Sequence, residues 1–277
     1  MVVNPKAVIK LSVSNFIKDY AGNLFPCRSY SKIISLVPSL TDLLFSFGLK
    51  QSIIGVTKYC TFPQHARDEP RQIIGGTKNP DIENIIKLKP DLVLMNQEEN
   101  QKKHYDLLVN YGIPVFLSFP RTIFEAKSLF KDLQNLFLIN HLNEMEELDL
   151  LMAETSSQVS TLQKNKTVFC PIWKKPWMTF NKDTFASSMI EFCGGENIFR
   201  NHSDRYPKIS LDDVVDVRPD IILLPDEPYK FQETDKIELL NFFNPYEPQI
   251  EFLPGTFHWY SFIMLQSLRR LSTLILN

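Results

Sequence analysis

The chain has 277 residues and a mass of 32.2 kDa, with 44% hydrophobic and 22% charged residues and a formal net charge of -2. That length suits one large domain or two lobes with a substantial core. The near-neutral balance excludes the basic surface that a nucleic-acid partner or an acidic membrane would require, and basic runs such as Lys174-Lys175 are too short to change this. The cysteines Cys27, Cys60, Cys170 and Cys193 lack the CxxC spacing of a zinc site. Cys170 and Cys193 sit beside apolar runs and read as small buried thiols.

No stretch has the length and apolarity of a transmembrane helix, so no membrane insertion is expected. Asn4, Lys6, Lys10, Asn15, Lys18 and Asp19 interrupt every candidate signal-peptide run, and the sequence as written is expected to stay in the cytoplasm. Val13 to Phe16 reads as an edge strand and Ala21-Gly22-Asn23 as a turn.

Lys32 to Val37 is a β-branched run ended by Pro38. Ser39 with Asp42 predicts a capped helix over Leu40 to Phe47, stopped by Gly48. Ser52 to Val56 and Ile73-Ile74 predict strands. Asn79-Pro80-Asp81 predicts a helix start with Pro80 at its first position, and Ile82, Ile85, Ile86 and Leu88 form its buried face. Pro90-Asp91 ends that helix before the apolar strand Leu92 to Met95, and a helix Gln101 to Asn110 and a strand Val115 to Leu117 follow.

From Arg121 to Cys170 the chain carries neither glycine nor proline, the residues that most often break helices. Thr122 with Glu125 predicts a capping box for a helix reaching Phe137. A second helix is predicted from Asn140 to about Lys164. Its apolar positions Leu142, Met145, Leu148, Leu151, Met152, Thr155, Val159 and Leu162 form one stripe over about 35 Å.

The same grammar then returns. Thr167 to Ile172 predicts a strand, Asp183 to Phe192 a helix closed by Gly194-Gly195, Ser210 a cap for a helix through Val217, and Ile221 to Leu224 a buried strand. Lys89-Pro90-Asp91-Leu92-Val93-Leu94-Met95 matches Arg218-Pro219-Asp220-Ile221-Ile222-Leu223-Leu224 position by position. The expected architecture is α/β: two α/β lobes joined by one long backbone helix, with a ligand cleft between the lobes. The expected divisions are a lead segment 1–31, an N-terminal lobe 32–139, a connecting helix 140–165 and a C-terminal lobe 166–277.

Ligands in open α/β sheets bind beyond the carboxyl ends of the strands. Those segments hold Trp173, Trp177 and Trp259, with Tyr59, Tyr206, Tyr229 and Tyr260 beside them. Flat aromatics over a cleft suit a large, planar, partly apolar ligand. Lys58, Arg121, Lys182 and Arg205 are candidate partners for its phosphate or carboxylate groups, or for acids across the cleft. His258 stands near Glu98, Asp226 and Glu227, either as an axial ligand to cobalt or haem iron or as a hydrogen-bonded cleft residue.

These residues assemble into a family resemblance. The carrying segments are Ile34-Ser35-Leu36-Val37-Pro38-Ser39-Leu40-Thr41-Asp42, Gly55-Val56-Thr57-Lys58-Tyr59-Cys60-Thr61-Phe62-Pro63, the Lys-Pro-Asp-Leu-Val-Leu strand, Gly194-Gly195-Glu196-Asn197-Ile198-Phe199, Arg205-Tyr206-Pro207 and Leu224-Pro225-Asp226-Glu227-Pro228-Tyr229. With them the chain resembles the periplasmic cobalamin- and iron-chelate-binding proteins of ABC transporters, class III, in the branch called helical backbone metal receptors.

The resemblance spans residues 32 to 270 and implies a periplasmic, monomeric binding protein with no intrinsic cofactor. Its implied ligand is cobalamin, haem or a ferric chelate, and its implied partner an ABC permease. It places Tyr59, Tyr206 and Trp259 at aromatic contact positions, and Glu83 and Asp212 at the acids with which each lobe docks on a permease. Thr77 beside Lys78, and Asn96, stand where the cobalamin binders carry aromatics, so the expected pocket is more polar.

The expected ligand-binding set is Lys58, Tyr59, Asn96, Glu98, Arg121, Trp173, Trp177, Arg205, Tyr206, Glu227, Tyr229, His258 and Trp259. No G-x-S-x-G is present, and His65, His104, His141, His202 and His258 lie on unrelated segments, so no catalysis is expected. The alternative is a cytosolic enzyme acting on a corrinoid or other cofactor, with Glu98, Glu227 or His258 as acid or base.

Overall fold

The computed structural model describes residues 15–276. Of the expected edge strand Val13 to Phe16, Val13 and Ser14 lie outside them; strand β1 (Phe16–Lys18) pairs antiparallel with β2 (Leu24–Pro26) around the turn at Gly22, whose φ is +90°.

Two parallel sheets follow. The first lobe joins β3 (Ile33–Ser35), β4 (Ile53–Val56), β5 (Gln72–Ile73), β6 (Leu92–Asn96) and β7 (Val115–Ser118) in the order β5-β4-β3-β6-β7. The second joins β8 (Lys166–Phe169), β9 (Gly195–Asn197), β10 (Ile221–Pro225) and β11 (Gln249–Leu253) in the order β11-β10-β8-β9. With β3 matched to β8, the series β4-β3-β6-β7 and β9-β8-β10-β11 are one topology used twice. Strand β9 was expected only as a glycine turn. Its three residues alternate buried, exposed, buried, too short for a sequence period to register.

The repeat extends to helix ends. Helix α1 (Pro38–Ser46) follows β3, α2 (Ile82–Leu88) precedes β6, α3 (Lys102–Asn110) precedes β7, and α4 (Ile123–Leu136) ends the lobe. In the second lobe α6 (Phe185–Phe192), α7 (Leu211–Val217), α8 (Glu233–Phe243) and α9 (Met264–Leu276) take the corresponding places. Asp81 caps α2 by accepting from Asn84 N–H at 3.1 Å, and Ser210 caps α7 from Asp213 N–H at 3.3 Å. Both helices end in a left-handed residue, Lys89 at φ 49° and Arg218 at φ 52°. The following acids then tie down the neighbouring strand: Asp91 accepts from Ser31 and Lys32, Asp220 from Thr167.

Three expectations are corrected. Pro80 precedes the Asp81 cap instead of opening the helix, because the aspartate carboxylate satisfies a free N–H that proline only avoids wasting. Helix α1 begins at Pro38 with Val37 as its cap, so Ser39 lies inside the first turn and Asp42 beyond it, both buried. The connecting helix α5 runs Asn143–Val159, about 25 Å and not 35 Å. Leu138, at φ 58°, ends α4 in a left-handed turn with an Ile139 N–H to Gln134 carbonyl bond of 2.8 Å. At the far end the Ser160 and Thr161 hydroxyls donate to the Ser157 and Gln158 carbonyls and close α5. Met145, Leu148, Met152 and Thr155 of the expected stripe are its buried face.

The lobes are joined by more than α5. One apolar core runs from Ile33, Leu40 and Phe130 through Phe185, Ile190 and Leu268. Phe262, from the second lobe's last connection, lies 5.1 Å from the Phe130 ring and 6.3 Å from Phe47. Helices α4 and α6 meet through an Ile123 N–H to Ser188 Oγ bond of 3.1 Å and an edge-on Phe124–Phe192 contact. Smaller cores under the outer faces belong to one lobe each.

Candidate functional site: a two-chambered interlobe cleft

The carboxyl ends of the two sheets face each other across two adjoining cavities of about 600 and 420 Å³. Lys78, Glu99, Pro228, His258 and Trp259 line both, so they are chambers of one cleft. The larger is walled by Pro38, Lys58, Tyr59, Gly75 to Asn79 and Glu227. The smaller is more apolar, with Ile172, Phe180, Phe185, Ala186, Phe257 and Tyr260 facing Glu98, Pro120 and Tyr206.

Backbone demands build these walls. Gly75 has φ +66°, and a Cβ there would lie 2.5 Å from the Asn79 carbonyl, so the Gly75–Asn79 turn requires glycine. A Cβ on Gly76 would come within 3.0 Å of the Tyr59 ring, which therefore lies against bare backbone. Lys58 Nζ stands 5.1 Å from the centroid of the same ring.

Asn96 is buried at the end of β6 and lines neither chamber. Its Oδ1 accepts from the Glu98 and Glu99 N–H groups at 2.8 and 3.1 Å, and its Nδ2 reaches Ser118 Oγ at 3.4 Å. The expected contact residue is thus a support for the loop that carries two acids into the cleft.

Those acids meet the second lobe. The Tyr206 hydroxyl donates to Glu98, and Arg205 reaches the same carboxylate at 3.1 and 3.2 Å. The Tyr260 hydroxyl donates to Glu99 at 3.2 Å. Arg121 bridges back from the first lobe to Asp183 at 3.0 Å, and Arg205 lies 3.6 Å from that aspartate. Both guanidinium groups stand over the Phe119 ring. Neither arginine lines a chamber; both hold the lobes together.

Burial sets the charge state of the cleft. It pushes the Glu99 carboxyl up to about 7, with Tyr260 opposing and Glu98 adding to the rise. Glu227 is raised by burial and by Asp226, against the Trp259 indole. Burial lowers His258 to about 4, so its imidazole is neutral at pH 7.

Of the expected set, Lys58, Tyr59, Glu98, Tyr206, Glu227, His258 and Trp259 line the cleft. Trp173, Trp177 and Tyr229 do not. Trp177 stacks on Phe231 at 5.9 Å and packs on the second lobe's outer core, while Trp173 is 42% exposed and edge-on to Tyr229. They follow a strand end, as expected, but the connection after β8 turns back on itself through the Trp173–Met178 and Met178–Lys208 bridges. Sequence reasoning passed over Glu99, Phe180, Phe185 and Phe257, and it noted Tyr260 beside the tryptophans without placing it in the expected set. Glu99 and Tyr260 lay within segments marked by strand ends; choosing between Glu98 and Glu99 needed the turn geometry.

Among the described residues, no group of three or more His, Cys, Asp or Glu side chains is placed to hold a metal ion. No helix of the described residues is long and apolar enough to cross a membrane.

The chain is 27% identical over 226 residues to the vitamin B12-binding protein of Yersinia pseudotuberculosis serotype O:1b (strain IP 31758), covering 79% of this chain and 76% of that protein. Its fold superposes on the periplasmic vitamin B12 binding protein BtuF of Vibrio cholerae with a TM-score of 0.73 and 20% identity, covering 89% of this chain and 96% of the other. The periplasmic heme-binding protein RhuT of Roseiflexus sp. RS-1, in its apo form, superposes with a TM-score of 0.70 at 17% identity, over 88% and 97% of the two chains. The sequence model of the periplasmic binding protein family matches residues 33–240, three quarters of the chain, and on that match the protein belongs to this family.

Proposed function

We propose that this protein binds a corrinoid or other metal chelate between its lobes and, as a monomer, delivers it to an ABC permease. The family is made of substrate-binding proteins, not enzymes, which sets aside the reading of Glu98, Glu227 or His258 as the acid or base of a cytosolic enzyme. The observation that carries the proposal is the cleft itself, two contiguous chambers with Tyr59 and Tyr206 on its walls and Trp259 lining both. Cobalamin and haem enter as ligands because relatives of this chain are named for them.

In this reading Lys58, Tyr59, Glu98, Tyr206, Glu227, His258 and Trp259 touch the ligand. Asn96, Arg121 and Arg205 position the walls, and Trp173, Trp177 and Tyr229 take no part. Glu83 and Asp212, exposed in the first turns of α2 and α7, are the proposed permease contacts, one on each lobe at equivalent places of the repeat.

Titration with hydroxocobalamin, haem and ferric chelates, followed by visible spectra and tryptophan quenching, tests the proposal. A saturable response to at least one is expected. Flat titrations with all three would rule it out.

A further inference from the structure

Glu98 and Glu99 are neighbours on one turn, yet the fold treats their carboxyl groups differently. Asn96 Oδ1 holds both backbone N–H groups, and the Asn100 amide fixes the end of the turn by donating to the Leu36 and Thr77 carbonyls at 3.2 and 2.9 Å. Neither side chain can therefore retreat by a shift of its backbone. Glu98 is met by the Arg205 guanidinium as well as the Tyr206 hydroxyl. Glu99 has only the hydrogen bond from the Tyr260 hydroxyl, and among the described residues no Lys, Arg or His forms an ion pair with it.

The groups that face Glu99 do not make up for this. Lys78, on the Gly75–Asn79 turn, favours the carboxylate, but its Nζ is held by the Glu98 carbonyl at 2.6 Å. Glu98 beside it and Glu227, from the segment after β10, oppose ionisation. Lys58, on the wall of the larger chamber, stands against the Tyr59 ring. Cys60 and His258 are uncharged at pH 7, because burial pushes the thiol up and the imidazole down to about 4. Burial outweighs the charges in reach and holds the Glu99 carboxyl at about 7.

Glu99 also lines both chambers, so it lies where they meet. A ligand that spans the chambers covers this carboxyl and drives off the water that hydrates it. The charged form loses that hydration and gains no cation from the protein in exchange, so covering favours the neutral form further.

We propose that the protein takes up a proton at Glu99 as its ligand closes over the junction of the chambers, and that binding weakens as pH rises. The proposal rests on the chelate-binding reading above. The proton comes from the solvent and stays on the carboxyl; no other bond forms or breaks. Because the bound state keeps this proton to higher pH than the free state, affinity is constant in acid and falls as pH rises through 7. It levels again once Glu99 is ionised in both states.

Cyanocobalamin, which has no group titrating near neutrality, haem and ferric citrate are each titrated by tryptophan quenching at pH 6, 7 and 8. Affinity for each probe that binds should fall several-fold across this range, to a limit of about tenfold. Calorimetry at pH 7 in buffers of different ionisation enthalpy should show net proton uptake on binding, a readout that needs no mutation. Glu99→Gln should abolish the slope and the uptake, and Glu227→Gln should keep both. Tyr260→Phe, which removes the hydrogen bond favouring the carboxylate, should move the fall to higher pH. Affinity flat across the range, proton release in place of uptake, or a slope that survives in Glu99→Gln overturns the proposal and leaves the chelate-binding reading standing. Flat titrations with all three probes at every pH overturn both.

Discussion

The two lobes share a topology, their helix caps and the carboxylates that anchor neighbouring strands, yet they present opposite chemistry to the cleft. The first lobe contributes Lys58, Lys78, Glu98 and Glu99 from the segments that follow its strands. The second contributes Phe180, Phe257, Trp259 and Tyr260 from its connections and Phe185 from the start of α6. The repeat builds a frame, and divergence around the strand ends sets most of the cleft's charged groups on the first lobe and most of its aromatic rings on the second, with Tyr59 and Glu227 as the exceptions. A ligand gripped this way is oriented as well as bound, because only one of its faces suits each wall.

The largest expected effect tests whether the lobes are separate at all. Phe262→Ala, which empties a site packed against Phe47 and Phe130, should cost about 3–5 kcal/mol and lower a single cooperative denaturant transition. Two resolved transitions in the parent protein would mean that each lobe keeps its own core. Next, the tryptophans should divide by function. Trp259→Ala is expected to weaken ligand binding by about tenfold. Trp177→Ala should cost about 2 kcal/mol of stability and leave affinity near that of the parent. The reverse pattern would move the aromatic wall to the other side of the connection after β8.

A double-mutant cycle of Glu98→Gln and Arg205→Gln should yield a coupling of about 1 kcal/mol, since the pair is only partly shielded from water. Zero coupling would remove it from the bonds that hold the walls together.

Glu99 adds a pH-dependent term. Burial holds its carboxyl at about 7 in the folded protein against 4.5 for a free glutamate, so its contribution to stability is complete below pH 4.5 and is lost as pH rises through 7. Melting curves of Glu99→Gln between pH 4 and 8 should lack that decline; a parallel decline would place its cause elsewhere. The smallest effects on the isolated protein belong to Glu83→Arg and Asp212→Arg, each about 0.5 kcal/mol through the helix dipole. Uptake supported by the double mutant should nevertheless fall, and intact uptake would show that these equivalent acids do not mark a docking face.

The frame was legible in the sequence because its signals are local. Buried strands such as Leu92 to Met95 are continuous apolar runs, Thr122 and Ser210 announce their helices, and the Lys-Pro-Asp and Arg-Pro-Asp segments expose the repeat. Features set by tertiary contacts were not. Leu138 in a left-handed turn ends α4 without the glycine that usually signals one, so two helices read as a nearly unbroken run. Ser39 and Asp42 look like a cap pair, but Asp42 is buried facing Ser261 and the Ile263 backbone of the other lobe, which its neighbours in sequence do not reveal. In the cleft, the strand-end rule pointed to most of the segments that line it, and residue type chose within them. It credited Trp173 and Trp177, which the fold turns away, and preferred arginines that the interlobe acids already engage.

Phe262 also governs the order in which the molecule is made. The core of the first lobe is closed by a ring encoded near the end of the chain, so a ribosome working from the N-terminus cannot deliver a finished first lobe while the second is still being synthesised. A product truncated before Phe262 leaves Phe47 and Phe130 without their lid, a natural handle for chaperones and proteases.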